Sequence, residues 1–367
     1  MVNNKILYLE SLRGIAALSV AIFHFDNNSF FNNSFTRNGW LMVDFFFILS
    51  GFVISLNYQN KILKLTDIFK FQLKRFLRLY PLHLIMLIVF LLIEIAKYIV
   101  NSKLGITPNN LPFSINNLET FILNLFLLQN LFSEYLSWNV QSWSISSEFY
   151  TYLIFGFLTV FFFRNKTMIY ITSFFIVLLT FFVLYKTSME TSNGFVRCLY
   201  SFFLGVIIFN LSNFLKYRIT NIFSYLFFIL AIVAVIYSEG EKEIGLNIFV
   251  PIIFSILILS LLTSNDKNFI KKLLNNKFLV YLGTISYGIY MTHTAVWWII
   301  NQSLRFLFNY QIFVNKEGAT RVIFENIFLA NFVMLIGLTI IVLISHLSFK
   351  LVEMPINRKK NKIKFTN

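Results

Sequence analysis

Ten mostly apolar runs, separated by short polar loops rich in lysine and arginine, leave this chain few folds to choose from. A bilayer's hydrocarbon core of about 30 Å is crossed by about 20 apolar residues in a helix, whose backbone polar groups are all satisfied internally. On that measure spans fall near 6–25, 40–58, 81–100, 143–163, 167–185, 197–210, 219–237, 246–263, 278–300 and 324–350. The sixth is short. Residues 120–133 are too short to cross and are expected to be re-entrant or interfacial. The chain is 57% hydrophobic and 13% charged with a mean hydropathy of +0.71, whereas soluble domains are about 25% charged. The fold class expected is therefore all-α: a polytopic membrane bundle of about ten transmembrane helices.

A formal charge of +15 on 367 residues raises the question of nucleic acid, but the cations sit in loops between apolar runs, which is a topology signal rather than a phosphate groove. Lys5, the group from Lys61 to Arg78, Arg164 and Lys166, Lys216 and Arg218, the group from Lys267 to Lys277, and the tail from Arg358 to Lys364 share one side. Arg37, Lys103, Lys186, Arg197, Lys242, Arg305, Lys316 and Arg321 are the sparser set on the other. The positive-inside rule then puts both termini in the cytoplasm. Residues 1–355 read as one transmembrane domain and 356–367 as a basic cytoplasmic tail. The N-terminal run lacks a small-residue cleavage site, so no signal peptide is expected. A single cysteine, Cys198, excludes an internal disulfide and a cysteine-based zinc cluster. No internal repeat, phosphate-binding glycine motif, nucleophile elbow or His-Glu-x-x-His site is visible, and no metal site is expected.

Polar residues within the spans carry the functional signal. In "LRGIAALSVAIFHF", Arg13 and His24 are eleven positions apart, close to three helical turns, so they share one face about 16 Å apart along the axis. Two such groups on one stripe fit one elongated cavity; the alternative is Arg13 paired with Glu10 and snorkelling, with His24 at the interface. Asp44, Glu148 and His293 lie near the outer ends of three other spans, at the depth of His24, and together suggest a polar site open to the outside. Each alone fits a buried hydrogen-bond partner equally well. On the inner side, "KFQLKRFLRLYP" places Lys74, Arg75 and Arg78 three and four apart on one helical face, either anchoring anionic lipid or binding phosphate. Pro81 marks the start of the third span. His83 is expected at the interface and His346 in a structural role.

These motifs, spread in order over nearly the whole chain, resemble the acyltransferase-3 family of integral membrane acyltransferases. "YLESLRGIAALSVAIFH" is similar to the family's first helix and "MVDFFFILSGFVI" to its second. "QLKRFLRLYP" is similar to the arginine pair before the third, and "WSISSEFYTY" to its tryptophan–serine–glutamate element. "LGTISYGIYMTH" and "LVEMPINR" are similar to the late motifs. Where the family usually has Asp-Gly before Leu-Arg-Gly, this chain has Glu10-Ser11, which keeps the acid. Some relatives carry an added extracytoplasmic hydrolase-like domain; this chain reads as a stand-alone member.

The resemblance implies transfer of an acyl group, commonly acetyl, from cytoplasmic acyl-CoA to a hydroxyl of a cell-surface or lipid-linked carbohydrate. It places the protein in a bacterial inner membrane, among lipid, with no nucleic acid partner. Arg75, Arg78 and Lys74 would hold the CoA phosphates, and Arg13 would line the pantetheine path. His24 would be the general base or an acyl-accepting nucleophile, with Asp44 or Glu148 orienting it. His293, Tyr287 and Trp143 would contact substrate. The rival classes are a proton-coupled transporter or flippase and a non-catalytic scaffold.

Overall fold

The computed structural model describes residues 6–105, 108, 110–133, 135–215, 220–240, 242–243, 245–314, 320–360, 362–363 and 365. Of the cations used to set topology, Lys5, Lys216, Arg218, Lys316 and Lys364 lie outside the described residues.

The chain is an all-α bundle. Its helices are α1 (Leu7–Phe23), α2 (Ser34–Arg37), α3 (Met42–Tyr58), α4 (Leu65–Leu104), α5 (Leu118–Leu125), α6 (Gln129–Phe132), α7 (Trp143–Phe161) and α8 (Lys166–Thr187). After them come α9 (Gly194–Phe214), α10 (Asn221–Ile236), α11 (Val250–Thr263), α12 (Phe269–Leu274), α13 (Lys277–Thr284), α14 (Ser286–Leu307), α15 (Ile327–Ser348) and α16 (Met354–Lys360). Among the described residues, 7 helical segments are long and apolar enough to cross a membrane, those containing α3, α4, α7, α8, α9, α11 and α15. The other predicted spans also form helices. α1 has 17 residues and α10 has 16. α14 is 22 residues long but diluted by His293, Asn301, Gln302 and Arg305.

Two boundaries differ from the sequence reading, and residues 120–133 form helices too short to cross, as expected. Pro81 does not open the third span: α4 runs unbroken through it for 40 residues, about 60 Å. That is twice the apolar thickness of a bilayer, so the basic segment and the span form one rod. The ninth span divides at Ile285 into α13 and α14, because Gly283 must lie flat on α1: a Cβ there would meet the Glu10 carbonyl oxygen at 1.9 Å. Residues 120–133 form α5 and the short α6, joined where Leu127 takes φ 57° and its carbonyl accepts from Ser146 Oγ at 2.5 Å.

Close crossings hold the bundle together. Gly51 of α3 and Gly205 of α9 let two backbones touch: a Cβ on either would meet Phe202 or Ile48 carbonyl oxygen at 1.9 and 2.0 Å. In an apolar solvent, packing of this kind replaces hydrophobic burial as the force between helices. Past α1, strands β1 (Asp26–Asn27), β2 (Ile312–Val314) and β3 (Thr320–Val322) make a small sheet in the order β1-β3-β2, absent from the sequence reading. β1 pairs parallel with β3, and Asn28 trades hydrogen bonds with the Phe324 backbone at 2.8 and 3.0 Å. The segment leaving His24 is thereby pinned to the loop that leads into α15.

Candidate active site

α1 is the axis of the site. Small residues on its buried face, Gly14, Ala16, Ala17 and Ala21, let α13 and α14 lie against it. The Trp297 indole donates to the Ala21 carbonyl at 2.7 Å and stacks on Phe25 at 4.3 Å, fixing the end of α1 to α14.

That junction brings His24 and His293 together, their ring centroids 5.0 Å apart. Each ring bonds through Nδ1 to a carbonyl one turn back, His24 to Val20 at 2.8 Å and His293 to Ile289 at 3.0 Å. A carbonyl only accepts, so Nδ1 carries the proton and Nε2 of each neutral ring keeps its lone pair. His293 Nε2 is buried with no partner among the described residues. His24 is half-buried. Asn139 clamps the His293 turn, donating to Met291 oxygen at 3.0 Å and accepting from Thr294 at 2.9 Å.

Toward the other end of α1, a second cluster forms in the interior. Arg13 pairs with Glu10 at 3.4 Å and keeps 22% of its side-chain surface accessible. Arg78 of α4 lies within electrostatic reach of Tyr152, Glu10, Glu148 and Glu353, yet its guanidinium has no hydrogen-bond or ion-pair partner among the described residues. Arg75 is buried, donates to the Tyr58 hydroxyl at 2.8 Å and packs over its ring at 4.9 Å, while its Nε has no partner. Lys74 sits on the same face.

Glu148 belongs to this inner cluster rather than to His24. It accepts from the Tyr152 hydroxyl at 2.5 Å, to which Ser50 donates at 2.8 Å, and its charge reaches Arg13 and Arg78. Tyr287 joins it too: its hydroxyl donates to the Leu79 carbonyl, within reach of Glu353, Glu148 and Arg78. The expectation that Glu148 lies at the depth of His24 is corrected: more than a turn inside α7, it reaches Arg13 and Arg78 instead.

Asp44 is also placed differently from the sequence reading. Both Asp44 oxygens are held by Arg197, at 3.2, 3.1 and 2.7 Å, and Ser201 adds a bond at 3.0 Å. Arg197 is 1% exposed, caps the Met189 and Trp40 carbonyls and lies over the Trp40 and Trp143 rings at 4.8 and 5.5 Å. Asp44 thus serves a buried ion pair instead of the imidazole, and Trp143 walls that pair. Arg197 leaves the outer-loop set for the bundle interior. His83, expected at the interface, is 1% exposed and bonds the Asn124 carbonyl at 2.9 Å. His346 contacts the Tyr281 hydroxyl.

Sequence reasoning missed Arg197, Tyr152, Asn139 and Glu353. The one available signal was Arg197 itself: a cation opening an apolar run calls for a buried acid, and Asp44 was the unpaired candidate.

Residues 6–346 match the family model described as "Acyltransferase domain". The acyltransferase MdmB of Streptomyces mycarofaciens is 31% identical over 158 residues, 40% of this chain and 37% of that protein. Protein 2 in the picA locus of Rhizobium radiobacter is 34% identical over 119 residues, 32% of this chain and 56% of that one. The matched parts are thus well under two thirds of either relative. No solved structure matches. With the family model spanning nearly all of the helical bundle, the chain belongs to the acyltransferase-3 family of membrane acyltransferases.

Proposed function

We propose that this membrane acyltransferase moves an acyl group, acetyl in the simplest case, from acyl-CoA on one side of the membrane to a carbohydrate hydroxyl on the other. The observation that carries the reading is the division of labour along α1. One end holds arginines with unspent donors, and the other a histidine pair with free Nε2 atoms. Arginine forks suit phosphate, and a neutral imidazole with a lone pair on Nε2 suits proton removal.

In this scheme Arg75 and Arg78 take the CoA phosphates by charge-assisted hydrogen bonds. Arg13 lines the path of the pantetheine arm, which follows α1 over about 16 Å toward His24. His24 Nε2 removes the proton of the acceptor hydroxyl as that oxygen attacks the thioester carbonyl. The C–S bond then breaks, and the proton held on His24 passes to the departing thiolate, leaving an ester and free CoA. His293 backs the ring of His24. Tyr152 and Glu148 organise the arginine chamber.

The test supplies labelled acetyl-CoA to sealed membranes carrying the protein and follows label into extracted glycan. Label in glycan and release of one CoA per acetyl transferred support the reading. No label and no CoA release with the intact protein would move the assignment to the transporter class.

A further inference from the structure

The C-terminal segment, a free basic tail by composition, is folded against the arginine face of α4. Pro355 lacks an N–H and its ring displaces the carbonyl one turn back, and the preceding turn, Phe349–Glu353, winds as a π-helix. The wider turn sets Glu353 within electrostatic reach of Arg78 and Arg13, with its Oε1 buried and unpartnered among the described residues. α16 then packs along α4 and brings Lys360 within reach of Arg78, Arg75 and Lys74. Its Nζ donates to Asn357 at 2.7 Å. Beyond it, the Phe365 ring meets Tyr58 at 5.7 Å and lies under the Lys74 ammonium at 4.8 Å.

Four cations from two helices thus converge; among the described residues Glu353 is the carboxylate within reach of Lys360, and Glu10 and Glu148 also reach Arg78. Like charges gathered in this way repel, and the carboxylates leave a positive excess on the α4–α16 side that favours an anion between the cations. The Arg75 Nε and the Arg78 guanidinium, without hydrogen-bond partners among the described residues, are left as donors for it.

We propose that α16 and Phe365 form the second wall of a polyphosphate site, in which Lys360 joins Arg75, Arg78 and Lys74 in binding the pyrophosphate of the donor. The choice of CoA as that donor rests on the function proposed above; the anion site itself does not. Phe365 acts as the latch that holds the wall to Tyr58 and Lys74.

Calorimetry on the full chain in zwitterionic nanodiscs tests it, with coenzyme A and inorganic pyrophosphate as separate probes. Lys360→Ala is expected to weaken both about tenfold, one charge-assisted contact, and Phe365→Ala severalfold. Arg358→Ala, an exposed cation on the same helix, is expected to leave affinity unchanged. Equal affinity in Lys360→Ala and the parent, or tighter binding after removal of residues 360–367, would overturn the proposal; the latter would make the segment an inhibitory strap. Lys360-dependent pyrophosphate binding without CoA binding would keep the site and remove the donor. Binding of neither probe would remove both.

Discussion

His24 and Asp44 show how differently two polar residues are treated inside an apolar bundle. His24 spends one nitrogen on its own helix and keeps the other for use. Asp44 spends everything on Arg197 and Ser201. Breaking a buried ion pair from one side strands a charge and costs about 3–5 kcal/mol, whereas replacing both partners with apolar residues is close to neutral. Arg197→Met is therefore expected to lower the detergent-unfolding midpoint sharply. The Asp44→Leu/Arg197→Met pair is expected to recover most of the loss, and equal loss in single and double variants would show that the pair is not the source. At the Glu148–Tyr152 bond, Tyr152→Phe is expected to slow acyl transfer while lowering stability by no more than about 3 kcal/mol, the net worth of one hydrogen bond to a charged group. A loss confined to stability would make that bond structural. The residue pattern of the sequence reached part of this. Arg13 and His24 share a face because helix periodicity is local information. The pairing of Asp44 with Arg197 needed the fold, because the two are 153 positions apart and the packing of α3 on α9 joins them, whereas Tyr152 is four positions after Glu148, within the reach of helix periodicity.

Among the elements, α13 and α1 carry the tightest constraint. Gly283 touches the Glu10 backbone, and Gly14 touches Leu282 and Gly283 in return, so the arginine-bearing turn of α1 is seated by two glycines. The "LGT" motif reads in sequence as part of one span; its purpose, a break that lets α13 lie flat, appears only in three dimensions. Ser11 donates to the Leu274 carbonyl and ties the same turn to α12. Gly283→Ala is expected to push α13 off α1, at about 1–3 kcal/mol for overpacking, and to reduce donor binding together with stability. Unfolding midpoint and CoA affinity measured on one preparation check this, and an unchanged midpoint would mean the contact is looser than 1.9 Å. The length of α4 is the second lesson at this scale. Proline was weighed as a helix start, yet α4 continues through Pro81, as helices within a membrane bundle tolerate.

Across the whole molecule, composition settled the class, the positive-inside pattern predicts its orientation, and depth and pairing came from the fold. Glu353 near Arg13 places the end of α15 beside the beginning of α1, as termini on one side require. Cys198, the sole cysteine, is fully buried, which gives a silent background for labelling. Asn33→Cys is expected to react with an impermeant maleimide in intact cells, and Lys267→Cys only after permeabilisation; the opposite pattern would invert the topology. The central claim is that one protein binds the donor at its arginines and performs chemistry at His24. Its most direct measurement is CoA affinity and glycan labelling side by side for His24→Ala and Arg78→Ala. The account predicts that His24→Ala binds CoA as the parent does but transfers acyl at least about 100-fold more slowly, the loss of a general base. Arg78→Ala should instead lose CoA affinity first. Undiminished labelling in His24→Ala would contradict it.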